Sequence, residues 1–342
     1  MQSTGVQLRT LQSAGPATRL TFEGIGLFRS SDSNGGRPGM KRVSIKAIRR
    51  GVAFPPLFAL AACSHQGVLD TAGPIAAGER TILLNSLVIM LAIVIPTIVA
   101  TLGFAFWYRA DRPRGRYLPE WAYSGRVEMV VWSIPILVIL FLAGVIWVGS
   151  HDLDPAKPLP AAKNVRPLEV QVVSLDWKWL FIYPEQGVAS VNQLVIPAGV
   201  PVHFSLTSAS VMNAFFIHRL GSMIYTMNGM VTQVNLQADK PGTYWGQSAQ
   251  FSGDGFSDMN FQTLAVAPAE FAGWIAKTKG QGAALDSAAY AGLAQQGTVK
   301  RPYSYGAVQP GLFGQIAMQK VAPGPGPQAG RAAHVSPRIS AQ

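Results

Sequence analysis

Two long runs without a charged residue constrain this chain more than any other feature of its sequence. The first run covers residues 81–108, between Arg80 and Arg109, and the second covers residues 129–150. As α-helices rising about 1.5 Å per residue, both runs are long enough to cross a hydrocarbon core of about 30 Å. Because lipid offers no partner for free backbone groups, the sequence predicts a transmembrane α-helical hairpin. The alternative is a pair of helices buried in a soluble domain.

The loop between the two runs, residues 109–128, is predicted to lie in the cytoplasm. It carries five arginines against Asp111, Glu120 and, at its end, Glu128, and the positive-inside rule assigns such a loop to the cytoplasmic side. The five are Arg109, Arg112, Arg114, Arg116 and Arg126. Both ends of the mature chain then lie outside, in the periplasm. A hydrophobic fraction of 49% and a charged fraction of 13% agree with a membrane protein.

The net charge of +11 is concentrated near the N-terminus, which argues against a nucleic-acid partner. Residues 1–62 contain nine Lys or Arg and two Asp or Glu, whereas the remainder contains 19 basic and 15 acidic residues. Residues 1–39 are rich in Gly, Ser and Arg and have no sustained apolar period. We expect them to be disordered or a non-native extension, with translation starting at Met40.

A lipoprotein signal peptide is predicted over residues 40–62. A basic stretch precedes the apolar residues 52–62, and the sequence LAAC at residues 60–63 is typical of a lipobox. We expect Cys63 to be acylated and to anchor the mature N-terminus in lipid, and residues 63–80 to form a periplasmic segment. The alternative is a buried free cysteine. Because Cys63 is the only cysteine, no intrachain disulfide and no Cys-rich metal site can form.

Short β-rich runs begin after residues 151–167, a linker rich in Pro and Ala. They alternate with Pro, Gly, Asn and Asp turn signals, which predicts an all-β sandwich or barrel over residues 168–267. The seven predicted strands are Glu169–Leu175, Trp177–Tyr183, Asn192–Ile196, Val202–Ser208, Val231–Leu236, Gly242–Gln247 and Asn260–Val266. Residues 268–280 are predicted as an amphipathic helix that begins at a proline. The Gly-, Ala-, Gln- and Pro-rich residues 281–342 are predicted as a disordered tail.

The chain is predicted to have two helices followed by an outer β-sandwich, and the sandwich opens with the sequence DWKW at residues 176–179. This arrangement resembles subunit II of the haem–copper respiratory oxidases. Residues 212–217 (MNAFFI), 219–222 (RLGS) and 244–253 (YWGQSAQFSG) are more narrowly similar to the cytochrome bo-type ubiquinol oxidases. The resemblance covers residues 60–279. It implies a membrane-anchored chain whose transmembrane hairpin carries a periplasmic, cupredoxin-like all-β sandwich.

In the copper-bearing members of this family, the sandwich holds two copper ions. The ligands are two cysteine thiolates, two histidines, a methionine and the backbone carbonyl of a glutamate. The resemblance places Asn213, Ser248, Gln250, Ser252, Phe256 and Met259 at the corresponding positions. Only Met259 keeps the ligand type of the family. Because a serine hydroxyl stays protonated at neutral pH and phenylalanine offers no lone pair, we expect no metal and no cofactor in this chain.

The resemblance then implies a subunit of a proton-translocating ubiquinol:oxygen oxidoreductase in the inner membrane. Without copper in this chain, electrons would enter from ubiquinol at subunit I, which is expected to carry two haems and copper B and to reduce O₂ to water. This chain would support assembly and cover the outer face of subunit I, with membrane lipid and the other subunits as further partners. The alternatives are a copper-bearing cytochrome c oxidase subunit II and a stand-alone periplasmic lipoprotein.

Glu128 is the one ionisable residue for which the resemblance implies a role in the reaction. It matches a glutamate that the family places at the entrance of a proton-uptake channel into subunit I, where a carboxylate can collect and relay protons. The alternative is an ordinary interfacial glutamate paired with Arg126.

Four aromatic residues could be mistaken for an electron relay. Trp177, Trp179, Phe181 and Tyr183 follow one another in a single predicted strand. Because no copper follows them, we interpret them as packing residues of a half-exposed strand.

Overall fold

The computed structural model describes residues 67–109, 118–160, 165–221 and 223–324. The predicted extension, signal peptide and acylated Cys63 lie outside the described residues, as do three arginines of the cytoplasmic loop. The described chain forms two long helices, a β-sandwich and a C-terminal segment that packs on the sandwich.

Two helices occupy the predicted transmembrane segments and extend beyond them. Helix α1 covers Pro74–Trp107 and helix α2 covers Gly125–Asp152. Helix α1 begins seven residues before the apolar run. Its first residue is Pro74, and a proline is tolerated there because the N–H that it lacks would have no partner in the first turn of a helix. Both helices are long and apolar enough to cross a membrane, and only Ala76 and Gly149 are buried along them. Their remaining apolar surface must therefore be covered by lipid or by other helices.

The sandwich consists of a seven-stranded and a five-stranded sheet. The larger sheet contains β1 (Leu168–Leu175), β2 (Lys178–Tyr183), β3 (Val188–Val191), β5 (Val202–Ser208), β8 (Thr232–Leu236), β11 (Ala283–Leu285) and β12 (Tyr303–Val308). The smaller sheet contains β4 (Gln193–Pro197), β6 (Asn213–Phe216), β7 (Ile224–Thr226), β9 (Gly242–Ser248) and β10 (Asn260–Val266). Their spatial orders are β11-β12-β3-β2-β1-β5-β8 and β4-β10-β9-β6-β7.

A cluster of aromatic rings fills the space between the two sheets. Phe215 and Phe261 of the smaller sheet stack with ring centroids 5.3 Å apart. Trp179 of the larger sheet meets both rings edge-on, at 5.5 and 5.6 Å. Phe181 and Phe204 complete the cluster, and none of the five side chains is exposed by more than 1%. Edge-to-face contacts of this kind add to the stabilisation that burial alone provides.

The prediction of a half-exposed strand over Trp177–Tyr183 is wrong. All six residues of β2 are buried, including Lys178. The side of β2 that the sandwich core does not cover packs against the C-terminal segment instead, and no local pattern in β2 predicts that contact. Both faces of the strand are therefore removed from water.

The prediction of a disordered tail is wrong for the described residues 283–324, which we call the C-terminal arm. After helix α3 (Pro268–Gln281), the arm adds β11 and β12 to the larger sheet and forms helices α4 (Ser287–Leu293) and α5 (Leu312–Ala317). Its buried residues are Leu285, Tyr290, Leu293, Leu312, Phe313 and Ile316. They pack on Val173, Leu175, Leu180 and Ile182, which project from the outer face of the sheet. The outer domain thus continues well past the predicted boundary at residue 267.

A substitution in α5 tests the role of the arm. Leu312 is 1% exposed, so Leu312→Ala should lower the free energy of unfolding by about 2–5 kcal/mol. Met318 is 69% exposed, and Met318→Ala should change the same free energy by less than about 0.5 kcal/mol. Denaturant unfolding of the full chain in detergent, followed by tryptophan fluorescence, measures both. Equal stability of the two variants would mean that the arm does not hold the sheet.

Candidate functional site

The structure brings together the residues that the resemblance places at the family's copper-ligand positions. Strands β6 and β9 are neighbours, and Phe215 pairs with Ser248 in their register. The Ser248 hydroxyl lies 3.2 Å from Asn213 Oδ1 and 3.2 Å from the backbone oxygen of Gln250, so it can donate to either. Asn213 and Ser248 are 1% and 5% exposed. The first half of the site is therefore a buried hydrogen-bonded pair.

The second half of the site is the turn that joins β9 to β10. The Ser252 hydroxyl donates to Met259 Sδ at 3.8 Å, and the backbone N–H of Ser248 donates to the Met259 carbonyl at 3.0 Å. The half-buried Phe256 ring meets Phe251 edge-on, with centroids 5.6 Å apart. These contacts place the six positions around one end of the sandwich. We call the six positions together the donor-poor cluster.

The donor-poor cluster does not fit a dinuclear copper centre. Its buried donors are hydroxyl and amide groups with one thioether, whereas soft thiolates and imidazoles are what copper requires in such a centre. The two serine hydroxyls already have hydrogen-bond acceptors within the chain. Among the described residues, no group of three or more His, Cys, Asp or Glu side chains could hold a metal ion. The cluster therefore serves packing and hydrogen bonding.

Trp177 packs directly beside this cluster. Its indole Nε1 donates to the Ser252 carbonyl at 3.0 Å, and its side chain is 3% exposed. The backbone of Trp177 is left-handed, with φ of 66°. Residue 255 must be a glycine because a Cβ atom there would lie 2.4 Å from the Trp177 ring. These contacts agree with the packing interpretation of the aromatic residues.

The residues on either side of Trp177 bind the C-terminal arm and a neighbouring loop. Lys178 Nζ donates to the Gln295 carbonyl at 2.7 Å, and the Ser210 hydroxyl donates to the Asp176 carboxylate. Burial lowers the pKa of Lys178, while the negative charge of Asp176 opposes that shift. The turn before β2 therefore ties the arm to the sandwich at the same end as the donor-poor cluster.

Glu128 lies on the first turn of α2, at the end of the hairpin remote from the sandwich. Its backbone N–H donates to the Ser124 carbonyl at 3.0 Å, and its side chain is exposed. Within the part of the chain that the structure describes, Glu128 makes no ion pair. Arg126 is only two residues away on the same helix, and side chains at that spacing do not face each other. The alternative in which Arg126 pairs with Glu128 is therefore not formed.

A clamp that sequence reasoning missed joins the helical hairpin to the sandwich. Arg219, which follows β6, donates from Nε to the Asp70 carbonyl at 2.9 Å, and its Nη2 lies 2.8 Å from the Asp70 carboxylate. The Arg219 guanidinium also lies over the Tyr244 ring, 5.2 Å from its centroid. The carbonyl of Arg219 accepts a hydrogen bond from Ala72 N–H at 2.8 Å. No local sequence signal links residues this far apart.

Further contacts fix both ends of the hairpin to the sandwich. Before α1, Gly73 approaches so closely that a Cβ atom there would lie 2.2 Å from the Gln237 carbonyl oxygen. After α2, the Pro155 carbonyl accepts from the backbone N–H of Asn235 at 2.9 Å and from its side-chain amide at 3.1 Å. Part of the predicted linker is thus bound to strand β8, and the hairpin and the sandwich are held together at two points.

Comparison with known proteins places this architecture in one family. Residues 169–266 match the family model described as cytochrome C oxidase subunit II, periplasmic domain. Ubiquinol oxidase subunit 2 of Acetobacter aceti is 50% identical over 278 residues, covering 81% of this chain and 90% of that protein. Cytochrome bo(3) ubiquinol oxidase subunit 2 of Pseudomonas aeruginosa is 42% identical, covering 81% and 83%. The protein of the same name from Pseudomonas putida is 40% identical, covering 78% and 84%.

Proposed function

Because the chain belongs to the ubiquinol oxidase subunit 2 family, and is therefore a membrane-anchored subunit of a terminal ubiquinol oxidase, we propose that it serves this complex without a redox centre of its own. The observation that carries the proposal is the donor-poor cluster, in which Asn213, Ser248 and Ser252 are buried and hydrogen-bonded within the chain. Without thiolate or imidazole at these positions, the cluster has no ligands to hold a copper ion that could accept an electron. Electrons then enter the complex from ubiquinol in the membrane.

The contribution of this chain is structural. The sandwich covers the outer face of subunit I, and the hairpin packs along the flank of that subunit. Two observations support this role. The hairpin leaves nearly all of its apolar surface uncovered, and the sandwich is bound to the chain both before α1 and after α2. Subunit I supplies the two haems and copper B at which O₂ is reduced to water. The copper-bearing cytochrome c oxidase subunit remains the second candidate, because the matching family model carries that description.

Copper analysis separates the two candidates. We expect the isolated full chain to hold no stoichiometric copper and to show no intense purple absorption after incubation with copper salts. A matched variant restores the missing ligands by four substitutions: Ser248→Cys, Ser252→Cys, Asn213→His and Phe256→His. This variant should bind copper and show the purple absorption, because thiolates and imidazoles then surround the site. Stoichiometric copper in the unaltered chain would refute the proposal. A colourless but folded variant would show that the cluster has lost the geometry as well as the ligands.

We further propose that Glu128 lies at the entrance of the proton-uptake channel into subunit I. Its exposed carboxylate at the cytoplasmic end of α2 has no ion-pair partner among the described residues and can exchange protons with the inner aqueous phase. Ionisable residues of membrane-spanning segments commonly mark proton pathways.

Substitution of Glu128 tests this role in the assembled oxidase. Glu128→Gln should lower ubiquinol turnover and proton pumping several-fold, because the amide cannot relay protons, whereas Glu128→Asp should keep most of both. Glu120→Gln, in the same cytoplasmic loop, serves as the control and should leave both rates unchanged. Oxygen consumption and proton release in reconstituted vesicles measure the effect. Unchanged proton pumping in Glu128→Gln would mean that Glu128 is an ordinary interfacial glutamate without a role in proton uptake.

The N-terminal processing of the chain is also proposed from its sequence. The LAAC sequence at residues 60–63 supports cleavage before Cys63 and acylation of its thiol, with both mature termini in the periplasm. The intact mass of the purified subunit should correspond to a chain that begins at Cys63 and carries acyl groups. In Cys63→Ser that mass addition should be absent. A mass that retains residues 40–62 without lipid would contradict both steps.

A further inference from the structure

The two helices form an apolar groove at the ends that adjoin the sandwich. Its volume is about 720 Å³, and it is open towards the surrounding bilayer. The α1 wall includes Gly78, Thr81 and Ile82, and the α2 wall includes Phe141, Val145 and Val148. Nothing in the proposed role of the subunit uses this groove.

Small residues create the groove and give it depth. The helices approach each other where a Cβ atom at Gly149 would lie 2.5 Å from Ile82 Cδ1, and where one at Gly78 would lie 2.9 Å from Leu153. Beside this crossing, Gly144 also lines the groove, and a Cβ atom there would meet nothing within 4 Å. Gly149 and Gly78 let the helices approach, and the missing side chain at Gly144 leaves space beside the crossing that the hairpin does not fill itself.

The length of the groove matches one leaflet of a bilayer. On α2 the lining runs from Leu140 to Leu153. At about 1.5 Å per residue this is about 20 Å along the helix axis. Each leaflet forms about half of a hydrocarbon core that is about 30 Å thick. The groove is therefore long enough to extend through the apolar part of one leaflet and into its headgroup region. The groove therefore has the dimensions for an acyl chain of the outer leaflet.

Two opposite charges lie where a lipid headgroup would sit. Asp152 lines the outer end of the groove, and Lys157 follows five residues later. Lys157 Nζ lies 3.9 Å from Asp152 Oδ1, and both side chains are largely exposed, so their mutual attraction is weak. A carboxylate accepts charge-assisted hydrogen bonds from a primary ammonium group, and a lysine ammonium donates them to a phosphate. The rim is complementary to a headgroup that carries both charges.

We propose that this groove binds one phospholipid of the phosphatidylethanolamine type. Its acyl chain lies between Ile82 and Val145, its ammonium group is bound by Asp152, and its phosphate is bound by Lys157. An anionic phosphatidylglycerol offers no cation to Asp152, which is why the rim selects the zwitterionic lipid. The bound lipid completes the packing of the hairpin at the end that adjoins the sandwich.

Photo-cross-linking in the intact oxidase tests the proposal. A photo-reactive residue at Val145 is irradiated in nanodiscs that contain equal amounts of phosphatidylethanolamine and phosphatidylglycerol, and cross-linked lipids are identified by mass spectrometry. We expect several-fold more phosphatidylethanolamine than phosphatidylglycerol. A photo-reactive residue at Leu102, which is exposed near the other end of α1, should give the two lipids in equal amounts.

Matched variants separate the groove from its rim. Gly144→Phe should fill the groove and reduce lipid cross-linking from Val145, whereas Gly103→Phe, where a Cβ atom also meets nothing within 4 Å, should not. Asp152→Asn combined with Lys157→Gln should keep the cross-linking yield and abolish the preference. Three results would overturn the proposal: equal amounts of both lipids at Val145, a cross-link to another subunit, or a cross-link to an acyl group on Cys63.

Discussion

The hydrocarbon core of the membrane imposes the constraint on which the rest of this structure depends. Within it, each backbone N–H and C=O must be bonded inside the chain, and two helices meet that demand. The same two helices bury only Ala76 and Gly149. A hairpin with so little internal packing has nothing to fix its geometry except its lipid, its neighbours and the domain attached to it. That explains why the contacts at its outer end are so extensive.

Those contacts make the hairpin and the sandwich one unit. Arg219 combines an ion pair to Asp70, a backbone hydrogen bond and a cation–π contact, so its guanidinium is partly desolvated and held from three sides. Asn235 holds Pro155 through both its backbone and its side chain. Since one attachment precedes α1 and the other follows α2, the outer end of the hairpin is bound to the sandwich through both of its helices.

Sequence reasoning found the elements whose signal is local and missed those that depend on distant contacts. The two spans and the longer strands follow from hydropathy and from β-rich runs, but β3, β6 and β7 have only three or four residues and were missed. The arm was missed because its Gly-, Ala- and Pro-rich composition conceals a few well-spaced apolar residues, such as Leu312 and Phe313, whose partners lie over a hundred residues away. The donor-poor cluster was found only through the family resemblance, since its members extend from residue 213 to residue 259.

The donor-poor cluster is held together by hydrogen bonds within the chain. In this chain Asn213 and Ser248 join β6 to β9 through a buried hydrogen bond, and Ser252 reaches Met259 across the following turn. Buried polar groups cost stability only when they lack partners, and these have them. The aromatic cluster around Phe215 and Phe261 lies between the sheets, and none of its five rings belongs to the six positions of the donor-poor cluster. The hydrogen bonds within the cluster and the ring packing between the sheets are therefore made by different side chains.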